Sequence, residues 1–161
     1  MSDDEMTDPV PVDLIDLADE DGNRCIVRVT GRFKSGDPMF HDILRADVFA
    51  SASFVDARLD VFLSPHDLDA WQQELSALAL GRDASIGGDR GLTLGFHLHE
   101  DGWLSITVDD PDRLITMIGA RPEENWISDH HERLEQVRRT WPVEVVETAP
   151  GVYEWSADCG R

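Results

Sequence analysis

SPHDLDAWQQELSALALG, Ser64 to Gly81, is the stretch on which the fold turns. Ser64 has the side chain of a helix N-cap, and Pro65 has the fixed φ that suits the first helical turn. Asp67 stands three residues past the cap, where its carboxylate can reach back to the cap N–H, and Gly81 offers the left-handed stop. Leu68, Trp71, Leu75 and Leu78 recur at steps of three and four, with Asp69, Gln72, Gln73 and Ser76 on the other side. The pattern predicts an amphipathic helix over about 64–80 with one apolar stripe, and such a stripe has to be buried. The segments before and after it alternate apolar and polar residues at period two, so its partner is a β-sheet.

Working upstream, Val55, Ala57, Leu59, Val61 and Leu63 alternate with Asp56, Arg58 and Asp60, and Leu44, Ala46, Val48 and Ala50 alternate with Arg45, Asp47 and Phe49. A turn near Ala52-Ser53 joins them. Pairing Ala50 with Val55 would set Asp47 against Arg58 and Arg45 against Asp60, two opposite-charge pairs on the wet face. Phe33 to His41 holds Gly36 and Pro38 and reads as a loop. Strand candidates Val12 to Ala18 and Arg24 to Gly31 flank the turn cluster Asp19-Glu20-Asp21-Gly22. Cys25, Val27 and Val29 share one face of the second, which makes Cys25 a small buried hydrophobe.

Downstream, Leu92, Leu94, Phe96 and Leu98 alternate with Thr93, Gly95, His97 and His99. Asp101-Gly102 is a hairpin signal, and Leu104, Ile106 and Val108 return. Arg113 to Ala120 is apolar on both faces, as an edge or covered strand would be. A second helix is expected over about 128–140, its start at Trp126 or Ser128, stopped by Pro142, with Ile127, Leu134, Val137 and Trp141 on its apolar side. His130 and His131 fall beside that stripe, one at its margin and one exposed. The end, Val143 to Trp155, reads as a hairpin around Pro150-Gly151, whose simplest register sets Glu147 against Glu154. Either the hairpin is irregular there or a cation lies over those carboxylates.

The expected fold is therefore α+β: an antiparallel β-meander sheet packed by the long helix of about 64–80, with a second helix (about 128–140) at its side and a C-terminal β-hairpin. Residues 1–11 form a disordered acidic tail and 12–158 a single domain. At 161 residues the chain is long enough to close one core.

The formal net charge is -19, and from Asp3 to Asp21 nine acidic side chains occur with no basic one. Phosphate contacts need Lys and Arg, so this balance argues against nucleic acid and anionic membranes as partners. The acidic run reads either as a solubilising tail or as an electrostatic lure for a basic protein. No apolar run approaches the roughly 20 residues of a membrane span, and the acidic N-terminus has no signal-peptide pattern. Two cysteines without metal spacing fit a reducing, cytoplasmic setting. No GxSxG, phosphate-binding glycine loop or activated cysteine is present, so no catalytic residue and no cofactor is assigned. His97 and His99 form an HxH on one strand face and are the candidate metal ligands, without a third ligand at a recognisable spacing. An enzyme or metal-dependent protein would need His97, His99, His130 and His131 to converge.

Three blocks carry a resemblance: LIDLADEDGNRCIVRVTGR (Leu14 to Arg32), LDVFLSPHDLDAWQQELSAL (Leu59 to Leu78) and WISDHHERLEQVRRTWPVEVVETAPGVYEW (Trp126 to Trp155). In this order they resemble an actinobacterial family of small proteins known only as a domain of unknown function. The resemblance assigns no site residues. The middle alone, an acidic strand pair, a DLxxWxxxLxxL helix and a strand ending in a DG turn, is similar to the WapI-type immunity proteins. That likeness implies a non-enzymatic protein that neutralises a toxin by binding it. The alternative reading is a structural or regulatory domain that assembles with itself.

Overall fold

The computed structural model describes residues 9–33, 37–87 and 91–156. Strands β1 (Val12–Ala18) and β2 (Arg24–Arg32) pair antiparallel across the Asp19–Gly22 turn. A bulge between Asp13 and Ile15 lets Leu14 and Ile15 both face inward, each at 0% exposure. The expected loop after β2 contains a short helix, α1 (Pro38–His41), N-capped by the Asp37 side chain. Strands β3 (Leu44–Ala52) and β4 (Val55–Leu63) complete a four-stranded meander in the order β1-β2-β3-β4.

Ser53 and Phe54 alone close the β3–β4 turn, because Ala52 pairs with Val55 and Ala50 with Ala57. The anticipated register is thus corrected by two residues. Asp47 stands opposite Asp60, and Arg45 opposite Phe62. Arg58 still reaches Asp47, diagonally, at 3.1 Å, whereas Asp60 is taken by Arg113 at 3.2 Å. One anticipated ion pair forms and the other does not.

Helix α2 (Pro65–Ala79) begins in a complete capping box, Ser64 Oγ accepting from Asp67 N and Asp67 accepting from Ser64 N, and Gly81 follows at φ +81°. Leu68, Trp71, Leu75 and Leu78 are its buried residues. The helix leads into a second sheet, so the expected single meander is two. Strand β5 (Ala84–Gly87), which the sequence reading passed over, pairs with β6 (Thr93–Leu98), then β7 (Leu104–Asp110) and β8 (Leu114–Ala120), again in chain order. Val27, Val48, Val61 and Leu63 of the first sheet and Ile86, Leu92 and Leu94 of the second line one small gap between the two, which places their inner faces in a common core. Trp71 of α2 packs against Phe96 of β6, ring centroids 5.3 Å apart.

Helix α3 (Trp126–Thr140) starts at the earlier of the two expected positions and packs along β1 and against α2. Strands β9 (Val145–Ala149) and β10 (Val152–Trp155) form the terminal hairpin, which leans on α1. Ala149 pairs with Val152, but a register shift then sets Tyr153 opposite Glu147 and Glu154 opposite Val146. The irregularity separates the two carboxylates that a regular ladder would oppose. The acidic tail expected over 1–11 falls largely on residues 1–8, outside the described residues.

Candidate functional site

A concavity of about 500 Å³ lies where α1, the start of α2 and the terminal hairpin meet. Its walls are mainly apolar: Met39 and Phe40 from α1, Ile43, Pro65, and Val143 and Val145 from the other side. Met39 and Val143 are 49% and 56% exposed, so the groove opens to solvent. Asp42, Glu147, Tyr153 and His66 supply its polar groups. Beside it, Phe33 stands edge-on to both Phe40 (6.2 Å) and Phe62 (5.3 Å) and extends the apolar surface.

An ionic clasp holds this groove together. Asp42, at the C-terminus of α1, accepts the backbone N–H groups of Glu144 (3.0 Å) and Val145 (2.9 Å) and the Arg32 guanidinium (2.9 Å). Arg32 also donates to Pro142 O at 2.9 Å and lies 3.2 Å from Glu144. His41 Nε2 donates to Glu144 at 2.7 Å, and its ring stands 4.6 Å from that of Trp155. Sequence inspection missed the whole assembly. Its members come from three segments, two of them about a hundred residues from the third, and no periodicity or motif links them.

The histidines singled out from the sequence do not converge on this groove or on one another as a set. His97 and His99 are neighbours, ring centroids 4.5 Å apart, but Asp83 engages His97 Nδ1 and Ser105 Oγ engages His99 Nε2 at 2.8 Å. Arg121 lies over the Trp103 ring, 5.3 Å from its centroid. Among the described residues no group of three or more His, Cys, Asp or Glu is arranged to hold a metal ion.

His130, expected with His131 at the margin of the stripe or exposed, is buried, at 1% exposure. Its Nδ1–H donates to Trp126 O at 2.7 Å, and Nε2 accepts from Asp16 N at 3.1 Å. Those two bonds require the neutral Nδ1–H tautomer and tie α3 to β1. Burial, chiefly, with Arg133 nearby, holds the imidazole below its ordinary pKa, against the pull of Asp129 and Asp16. The unfolded chain therefore takes up this proton first as pH falls. The His130 contribution is complete above the unfolded value of about 6.5 and is lost progressively on acidification through it. Urea unfolding followed from about pH 7.5 to 5 should show stability declining, and His130→Gln should flatten that part of the profile. An unchanged profile would remove His130 as its source.

Cys25 is buried among the strands, and burial pushes its thiol up to about 12, so it behaves as a core hydrophobe. Of the acids in the Asp3–Asp21 run, several are structural. Asp13 pairs with Arg28 at 2.8 Å, Asp16 lies 3.7 Å from Arg133, and Asp19 accepts the N–H groups of Asp21 and Asn23 to close the first turn.

Together these features define a small acidic α+β domain with an open, apolar groove clasped by half-buried ion pairs. The chain belongs to the family described as "Family of unknown function (DUF5959)", whose model matches residues 12–142. That match takes in Arg32, Asp42 and both long helices and stops before the terminal hairpin. No curated protein and no solved structure matches the chain. Among the described residues no helix is long and apolar enough to cross a membrane.

Proposed function

We propose that this domain is a non-enzymatic, cytoplasmic protein-binding module whose acidic surface meets a basic partner, with the groove as the place where the partner seats. The observation that carries this reading is the combination of a -19 formal charge with an apolar groove whose polar lining includes Asp42 and Glu147. Apolar walls favour a partner segment with exposed aliphatic or aromatic side chains, and the Glu147 carboxylate favours flanking Lys or Arg, Asp42 being engaged by Arg32. Long-range attraction speeds encounter, while the groove supplies the contact that persists. An immunity-type role, in which the basic partner is a toxin neutralised by binding, is the finer form of this proposal. It rests on the likeness of the middle of the chain to WapI-type immunity proteins.

The test is capture from native lysate by the tagged protein, followed by washes of rising salt, with wild type and Met39→Arg compared. A basic protein should be retained at low salt and released at high salt. Met39→Arg, at an exposed groove position, should weaken its binding by roughly tenfold or more while leaving unfolding unchanged. Equal capture by both forms would move the interface elsewhere, and capture of no basic protein would overturn the reading.

A further inference from the structure

Sheet edges invite pairing, and proteins usually blunt them with charge, proline, bulges or a covering element. Three of the four edges of the two large sheets here are managed in such ways. β1 is covered by α3, β4 carries Asp56, Arg58 and Asp60 on its outer face, and β5 has only four residues. The fourth edge, β8, has none of these devices. It reads LITMIGA over seven residues, holds an unbroken register with β7, and among the described residues hydrogen-bonds to no other strand. Ile115 and Met117 on its outer face are 70% and 59% exposed.

We propose that β8 pairs antiparallel with β8 of a second copy of this chain, extending the second sheet across a twofold axis into eight continuous strands. The sequence of the strand is complementary to itself about Met117. Centred there, the pairing sets Ile115 opposite Gly119 of the second copy, Thr116 opposite Ile118 and Leu114 opposite Ala120. Large residues thereby meet small ones, and the open backbone groups of each edge find partners. Gly119 faces Trp103, whose ring lies 3.7 Å from where a Cβ would be, so an incoming Ile115 side chain meets an aromatic wall.

Charge selects the same seam. Two chains of formal charge -19 repel, and they can join only where charge is sparse or neutralised. No residue from 114 to 120 is charged. The flanking arginines are engaged within their own chain, Arg113 by Asp60 and Asp110 and Arg121 by Trp103 and the Asp101 carbonyl. This association depends on salt in the opposite sense to the basic-partner binding proposed above and does not rest on it. Screening should weaken the latter and strengthen the former.

The test is sedimentation velocity over a concentration series at low and high salt, on wild type, Met117→Lys and the control Phe54→Lys, an exposed position in the β3–β4 turn of the first sheet. Wild type and the control should form dimers that tighten with salt. Met117→Lys, which opposes two ammonium groups on the axis, should weaken them by roughly tenfold or more with unchanged thermal unfolding of the monomer. In a Cys159→Ser background, Met117→Cys should form an intermolecular disulfide on mild oxidation. A wild type that stays monomeric at high salt, a dimer indifferent to Met117→Lys, or the failure of that disulfide to form would overturn the proposal.

Discussion

Trp71→Ala is expected to lower the free energy of unfolding by about 3–5 kcal/mol, among the largest effects available to a single substitution in this chain. The indole is 1% exposed, sits at the middle of the α2 stripe and packs against Phe96 of β6. Helix α2 is also the covalent link between the two sheets, so a cavity at its centre loosens both halves of the core at once. Trp71 Nε1 has no hydrogen-bond partner among the described residues. A buried donor without an acceptor is itself destabilising, by about 1–3 kcal/mol. Trp71→Phe removes that donor along with part of the ring, and the two changes offset each other. Chemical denaturation should therefore rank wild type and Trp71→Phe close together, with Trp71→Ala far below. A loss under about 1 kcal/mol for the alanine variant would mean that α2 does not bury this stripe.

The different fates of the sequence readings have physical causes. Helix α2 was fully legible because cap, proline, carboxylate, stripe and stop all agree within eighteen residues. The β3–β4 pairing was legible in its faces but not in its register. A slip of two residues leaves every side chain on the same side of the sheet, so alternation cannot detect it. Charge matching was the remaining guide, and it misled, since a long Arg58 side chain serves Asp47 as well from a diagonal position as from a direct one. Strand β5, with four residues, is too short to show a period. The helix pattern alone does not say which of His130 and His131 lies at the margin and which is exposed. The burial of His130 depends on β1, more than a hundred residues away, whose Asp16 N–H supplies the bond that lets an imidazole replace an apolar residue in the core. The groove is the extreme case, assembled from chain segments that share no pattern at all.

Asp42→Ala is expected to cost about 2–4 kcal/mol, with the loss centred on the groove. The carboxylate is 9% exposed and serves three donors, two of them backbone N–H groups at the entry to β9. Deleting it leaves both amides without their acceptor and takes from Arg32 the closer of its two carboxylate partners. Charge-assisted bonds of this kind exceed neutral ones, and their loss is not repaired by the apolar walls. The terminal hairpin has only two strands and depends on its contacts with α1, so it should come free before the two sheets open. Hydrogen exchange would distinguish this from global weakening. In Asp42→Ala the amides of residues 144–155 should lose protection by a larger factor than those of β3 or β7. The same variant should lose capture of a basic partner, because one wall of the groove is no longer held in place. Uniform loss of protection would make Asp42 a general stability residue, and unchanged protection at 144–155 would show that Pro142 and Glu144 suffice to hold the hairpin through Arg32. Asn in place of Ala keeps one acceptor oxygen and removes the charge, so its position between wild type and alanine measures how much of the clasp is electrostatic.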